Sequence, residues 1–247
     1  MSYLNTIPFI YGIEHAGKLQ AELKLLPPNE CSAAFARGDV DIALIPAAAL
    51  PALEGAEHIS QYCIGADGAV SSVVVVSDDP IEDVERIYLD PHSQTSVQLA
   101  GYLAKHHWNI APEWLALDDY AKLKSPGDGE AFLLIGDKVF EHEGEFEYTY
   151  DLSEEWKSAT SLPFAFAIWV AREGVDEDTI EALELSLTYG LEHIYEAILE
   201  YRPEESIVEA YSYLTESLDF LLDGDKREAL KRFWAIDTNI VAKTLPG

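Results

Sequence analysis

The residues of this chain that could do chemistry are small polar groups flanking apolar runs. Asn5-Thr6, Ser71-Ser72, Ser93-Gln94-Thr95-Ser96 and Gly136-Asp137 sit where a parallel sheet would place its ligand-contacting loops. The run 93–96 carries the most meaning. Hydroxyls and backbone N–H groups at a helix start face outward together with the positive end of the helix dipole, which suits a carboxylate. Ordinary helix capping uses the same residue types, so both readings stand on the residues alone. Read for function, they describe a binder of a small anion.

Other chemistries lack their residues. No glycine-rich loop is followed by Lys and Ser or Thr, and no strand-linked dinucleotide fingerprint is present. There is no Gly-x-Ser-x-Gly elbow either. His106-His107 and His142-Glu143 are adjacent pairs that point different ways on a helix rather than toward one ion. No metal and no cofactor is therefore expected. Cys31 and Cys63 lack the electropositive setting that activates a thiolate, and a pair cannot make a disulfide framework. Both read as small core residues. His92, between a predicted strand and a predicted helix, reads either as a ligand contact or as a surface residue.

The elements that position these groups must fold within a very acidic chain. Its 247 residues hold 16 Lys and Arg against 45 Asp and Glu, a formal net charge of −29. Such a surface excludes a grip on nucleic acid, which depends on basic residues that release counterions. It also repels anions at long range, so an anion site must work through local donors. Hydrophobic residues make up 48% of the chain and aromatic ones 11%, enough for a packed core. The longest apolar stretch, 162–171, spans ten residues including Pro163, well short of the ~20 that cross a bilayer. No membrane association is expected. The run Met1-Ser2-Tyr3-Leu4-Asn5-Thr6 puts no positive charge ahead of an apolar segment, so no secretory signal is read and the expected location is cytoplasmic.

Short apolar runs alternate with helical patterns, which predicts an α/β fold. Strands are expected over 40–45, 70–76, 86–89, 132–135 and 162–172, and helices over 28–37, ending at Gly38, and 93–106. Beyond Arg172 the pattern turns to helices alone, with Leu183, Leu187, Leu191, Ile194 and Ile198 at helical spacing and further helices over 204–222 and 226–233. The runs 71–77 and 164–172 are long and apolar on both sides of a central segment. If both cross between lobes, the chain forms one lobe from 1–74 and 168–247 and another from 75–167, with a ligand cleft at the crossing.

Several segments also resemble, in order, the chorismate dehydratases that open the futalosine route to menaquinone. They are Ser2-Tyr3-Leu4-Asn5-Thr6-Ile7-Pro8, Gly38-Asp39-Val40-Asp41-Ile42-Ala43-Leu44-Ile45-Pro46, Gly68-Ala69-Val70-Ser71-Ser72-Val73, Ser93-Gln94-Thr95-Ser96, Leu134-Ile135-Gly136-Asp137, Tyr150-Asp151-Leu152 and Leu162-Pro163-Phe164-Ala165-Phe166-Ala167-Ile168-Trp169-Val170-Ala171-Arg172. The resemblance implies a two-lobed fold similar to the type II periplasmic binding proteins, with two hinge crossings and a ligand held between the lobes. It implies loss of water from chorismate to give 3-[(1-carboxyvinyl)oxy]benzoate, without a cofactor. The family's catalytic asparagine falls on Asn5 and its catalytic serine on Ser72. Ser93, Thr95 and Ser96 match the stretch that holds a substrate carboxylate, and Tyr3, Thr6, Ser71, Gly136 and Asp137 fall in the motifs beside the substrate. Enzymes that follow in the route are candidate partners.

At one position the pattern departs from the family. Where the family usually carries an arginine this chain has Gln94, so the cation facing a substrate carboxylate must come from elsewhere, with Arg37 and Arg172 as candidates. Two other readings stay open. A sister enzyme of the same fold acts on cyclic dehypoxanthine futalosine, but its relatives place a histidine in the cleft and no histidine falls in a matched motif here. A solute-binding protein would capture a small anion without chemistry, and the lack of a secretory signal counts against it.

Overall fold

The computed structural model describes residues 3–90, 94–202, 204 and 206–236. Its strands are β1 (Ile42–Pro46), β2 (Ala56–Ala66), β3 (Val73–Ser77), β4 (Arg86–Leu89), β5 (Glu113–Ala116), β6 (Glu130–Ile135), β7 (Tyr148–Asp151) and β8 (Phe164–Arg172). The α-helices are α1 (Ile7–His15), α2 (Pro28–Arg37), α3 (Gln94–His106), α4 (Asp137–Glu141), α5 (Leu152–Thr160), α6 (Glu177–Glu192), α7 (Ile194–Tyr201), α8 (Ile207–Ser212) and α9 (Gly224–Trp234). Among the described residues, no helix is long and apolar enough to cross a membrane.

Two compact units result, Met1–Gly65 with Ala165–Asp223, and Ala66–Phe164 with the helix that begins at Gly224. The expected division at 74/75 and 167/168 is replaced by passages at 65/66, 164/165 and 223/224. Residues 66–74 go with the second unit because they lead into β3, which lies inside its sheet. The third passage puts α9 in the second unit, where Phe233 meets the ring of Phe164 edge-on at 5.2 Å between centroids and that of Trp156 at 6.3 Å.

In the first unit three strands pair in the order β1-β8-β2, with β1 antiparallel to β8 from Ile42 opposite Ala171 to Pro46 opposite Ala167. Helix α2 opens on Pro28 and stops at Gly38, whose φ of 83° gives the left-handed cap that only glycine adopts freely. Helices α1 and α6 touch at backbone distance. A Cβ on Gly12 would stand 2.0 Å from the Ser186 carbonyl oxygen, and one on Gly190 would stand 1.8 Å from that of Pro8. The helix expected over 204–222 does not run its full length. Helix α8 widens into a π-turn over Tyr213–Ser217, and residues 218–222 then lie along β2. Cys63 N–H donates to Phe220 O and Leu222 N–H to Gln61 O, each at 2.8 Å.

The second unit holds a five-stranded sheet in the order β5-β4-β6-β3-β7. Strands β4, β5 and β6 run parallel, while β3 is antiparallel to both β6 and β7. The sheet is thus mixed, not parallel as the sequence suggested. Four of its strands nonetheless point their carboxyl ends at one edge, and β3 begins there. Val74, Val76, Phe132 and Leu134 pack on one face with Leu117 and Leu123. Buried Val75, Ala131 and Leu133 fall at the alternate positions of the same two strands, so β3 and β6 are covered on both sides, as befits central strands.

Candidate functional site

The carboxyl edge of the second unit's sheet collects most of the residues singled out by sequence. Ser72 and Gly136 face each other across β3 and β6, one step beyond the Val73–Ile135 pair, and Gly136 N–H donates to Ser72 O at 2.8 Å. Gly136 has φ 64° and ψ −146°, a combination open in practice only to glycine. This sharp turn ends β6 and starts α4 with Asp137. Ser71 is also left-handed, at φ 62°, which costs an L-residue about 1–2 kcal/mol. The kink explains why β3 begins at Val73 rather than at the expected residue 70.

Asp151, the last residue of β7, holds that kink. Its Oδ2 accepts from Ser71 N–H at 2.6 Å, while Oδ1 accepts from Ser153 and Glu154 N–H at 3.0 and 3.1 Å and so caps α5. The carboxylate is nearly enclosed. Burial pushes its pKa above the ordinary value, and the N–H groups of Val70, Ser71, Glu154 and Ser153 pull it back only in part. One side chain thereby ties the start of β3 to the start of α5. Its signals in the sequence were its place in the matched segment Tyr150-Asp151-Leu152 and the N-cap pattern of Asp followed by Leu-Ser-Glu-Glu.

Ser72 is buried, as are Thr95 and Ser96 near the start of α3. That helix follows β4, so its N-terminal end lies at the same edge. Ser93 and His92 lie outside the described residues. Tyr3, Asn5 and Thr6 belong to the first unit. There, residues Leu4–Thr6 form a 3-10 turn ahead of α1, and Thr6 donates both its hydroxyl (2.8 Å) and its N–H (3.0 Å) to Tyr3 O. The Thr6 hydroxyl proton is therefore spent on the turn. Buried Leu4 and Ile7 pin the turn on either side of half-buried Asn5, whose side-chain amide keeps its donors and acceptor unused among the described residues.

The two cations expected to replace an arginine at position 94 both lie in the first unit, each with contacts of its own. Arg37 is exposed and pairs with Asp39 at 2.8 Å. Arg172 donates Nε–H to Val40 O at 3.2 Å and lies over the Phe35 ring at 4.7 Å, locking α2 to the sheet. A cation that sequence reasoning missed does stand at the carboxyl edge. Lys138 Nζ donates to Asp90 Oδ2 at 2.8 Å, just past the end of β4, and the Tyr120 hydroxyl donates to the same oxygen at 2.7 Å.

The histidines picked out by sequence serve local contacts. His107 Nε2 meets Glu155 at 2.9 Å and His142 Nδ1 meets Glu145 at 2.6 Å. Among the described residues, Glu14, His15 and Glu200 alone bring three ligand-type atoms within 4.8 Å of one another, all exposed. His15 is paired with Glu200, and Glu14 accepts from the Tyr201 hydroxyl. Cys63 is fully buried and Cys31 partly so, its thiol pushed up by burial.

The sequence model of the family described as menaquinone biosynthesis matches residues 1–237. The chain belongs to the menaquinone biosynthesis family. Solved structures agree on the fold. The protein AF1704 from Archaeoglobus fulgidus superposes with a TM-score of 0.72 at 17% identity, covering 98% of this chain and 94% of that one. A Candida albicans gene product, CA3427, described as having the generic periplasmic binding protein fold, gives 0.65 at 14% identity over 98% and 91%. The periplasmic aliphatic sulphonate binding protein SsuA from Escherichia coli gives 0.57 at 10% identity over 97% and 84%. This family member therefore has a mixed α/β fold like that of the periplasmic binding proteins, a fold that suits a small-molecule ligand.

Proposed function

We propose that the chain is a chorismate dehydratase, eliminating water from chorismate to give 3-[(1-carboxyvinyl)oxy]benzoate in the futalosine route to menaquinone. The observation that carries this reading is the fixed Ser71-Ser72 step. Asp151 and Gly136 hold it, so that a neutral serine stands at the carboxyl edge. Neither Ser72 nor Asn5 has a side chain that titrates near neutral pH. A reaction run by such groups must bring its own base and its own driving force. Chorismate supplies both.

The C3–H bond breaks as the enolpyruvyl carboxylate of the same molecule takes the proton. The electron pair left at C3 forms the C3–C4 double bond as the C4–O bond breaks, and the leaving hydroxyl takes the proton back from that carboxylate to depart as water, which restores the carboxylate. The ring becomes aromatic, which drives the step. The protein's share is orientation and charge stabilisation. Asn5 and Ser72 position the reacting carboxylate and support the departing hydroxyl. Thr95 and Ser96 donate toward the second carboxylate near the start of α3, where the helix dipole favours negative charge, and the resemblance assigns Ser93 to the same group. Tyr3, Thr6, Ser71, Gly136 and Asp137 shape the surroundings.

Replacing Asn5 or Ser72 by alanine tests the assignment. Each variant should bind chorismate with a Kd near that of the parent chain and lose about 100-fold or more in kcat, the scale of losing one transition-state donor. Turnover near the parent's in both variants would refute the assignment.

A further inference from the structure

Lys138 is a cation at the carboxyl edge, and its surroundings suit a ligand more than a simple strut. Its partner Asp90 is fully buried, whereas the Lys138 side chain stays 25% exposed. An ammonium has three protons to give. One goes to Asp90 Oδ2 and one to the Tyr120 oxygen, whose own proton goes to Asp90. The Tyr120 ring also lies against the ammonium, 4.2 Å from Nζ to the centroid. The third proton is left for the solvent side. Buried Asp90 fixes the position of the ammonium.

The backbone brings this ammonium to the site. Lys138 is two residues past the Gly136 turn, whose N–H is bonded to Ser72 O. Asp90, at the end of β4, precedes the segment that leads into α3 with Thr95 and Ser96. Three other cations of the second unit have carboxylate partners of their own. Arg86 and Lys122 flank Glu130 at the opposite end of β6, and Lys157 pairs with Asp67.

We propose that Lys138 binds the ring carboxylate of the substrate, supplying the positive charge that Gln94 does not. This rests on the dehydratase reading above. The ring carboxylate is the one to assign here, because charge released at C3 spreads through the ring diene toward it. The enolpyruvyl carboxylate must remain basic enough to take the C3 proton, and an ammonium at that group would weaken it.

The test is steady-state kinetics with chorismate on the parent chain and on Lys138→Met, Lys138→Arg and the double variant Asp90→Asn/Lys138→Met. Lys138→Met should raise KM about 10- to 100-fold, the scale of a lost charged hydrogen bond, with kcat reduced at most about tenfold. Lys138→Arg should recover most of the affinity. The double variant also neutralises the buried carboxylate that the methionine change leaves without its ammonium, so it should melt close to the parent yet keep the raised KM. A double variant with the parent's KM would show that Lys138 only neutralises Asp90, overturning the proposal while leaving the dehydratase reading intact. A folded parent chain that does not convert chorismate would overturn the dehydratase reading, and the assignment of Lys138 would fall with it.

Discussion

Ser71 and Ser72 do different work although they are neighbours of one type. Ser71 spends conformational energy on a left-handed backbone, and its N–H is held by Asp151. Ser72 is the residue thereby delivered to the sheet edge. Replacing Asp151 by Asn would turn an NH2 toward a backbone N–H that needs an acceptor. Unfolding by urea should show a loss of about 1–3 kcal/mol, and kcat with chorismate should fall about tenfold or more, since small displacements of positioning groups are costly. Unchanged kcat would detach Asp151 from the site. The serines were legible in the sequence because their types and place at a strand end were visible. Lys138 was not, since nothing in Gly136-Asp137-Lys138 says that a five-residue helix would return its side chain to the end of β4.

Elements with a clear apolar pattern were read closely, and those shaped by tertiary pairing were not. The predicted helix at 28–37 and strand at 86–89 coincide with α2 and β4. Strand β5 has no fully buried residue and β7 only its last, Asp151, while Glu57, His58, Ser60 and Gln61 interrupt the apolar pattern of β2. Residues 218–222 looked helical because a short apolar run carries no clear period, and pairing with β2 decided their conformation. Two predictions belong at this scale. Gly190→Ala would drive a methyl into the Pro8 backbone, forcing α1 away from α6. It should cost at least about 1–3 kcal/mol and should lower kcat through the Asn5 turn that α1 carries.

The second concerns Glu130, which braces the opposite end of β6. Burial pushes its carboxyl up, but Gly127 N–H, Lys122 and Tyr88 outweigh this and leave it below its ordinary 4.5. A group with a lowered folded pKa contributes stability above its unfolded pKa and loses it as pH falls through the folded one. Glu130→Gln should therefore destabilise the chain at pH 7, and the gap to the parent should close as pH falls below 4.5. Urea unfolding at a series of pH values would show it, and a gap independent of pH would contradict it.

Over the whole molecule, a net charge of −29 opposes the approach of a dianion, and only local donors favour its binding. Salt screens the distant charges first. Raising ionic strength from about 0.01 M to about 0.15 M shortens the Debye length from about 30 Å to about 8 Å, which should lower KM for chorismate. A KM that rises steadily with salt would mean that long-range attraction dominates. The two-unit organisation was legible from the two long runs on either side of the central segment. The placement of α9 was not, because its allegiance rests on Phe233 meeting Phe164 and Trp156, residues remote in sequence. The chain belongs to the menaquinone biosynthesis family, and its binding-protein fold suits a small-molecule ligand. The most direct measurement is to incubate purified chain, treated with chelator, with chorismate and to analyse the mixture by chromatography and mass. The account predicts a product lighter than chorismate by one water, absent with Asn5→Ala and with Ser72→Ala; chorismate recovered intact from the folded parent chain would contradict it.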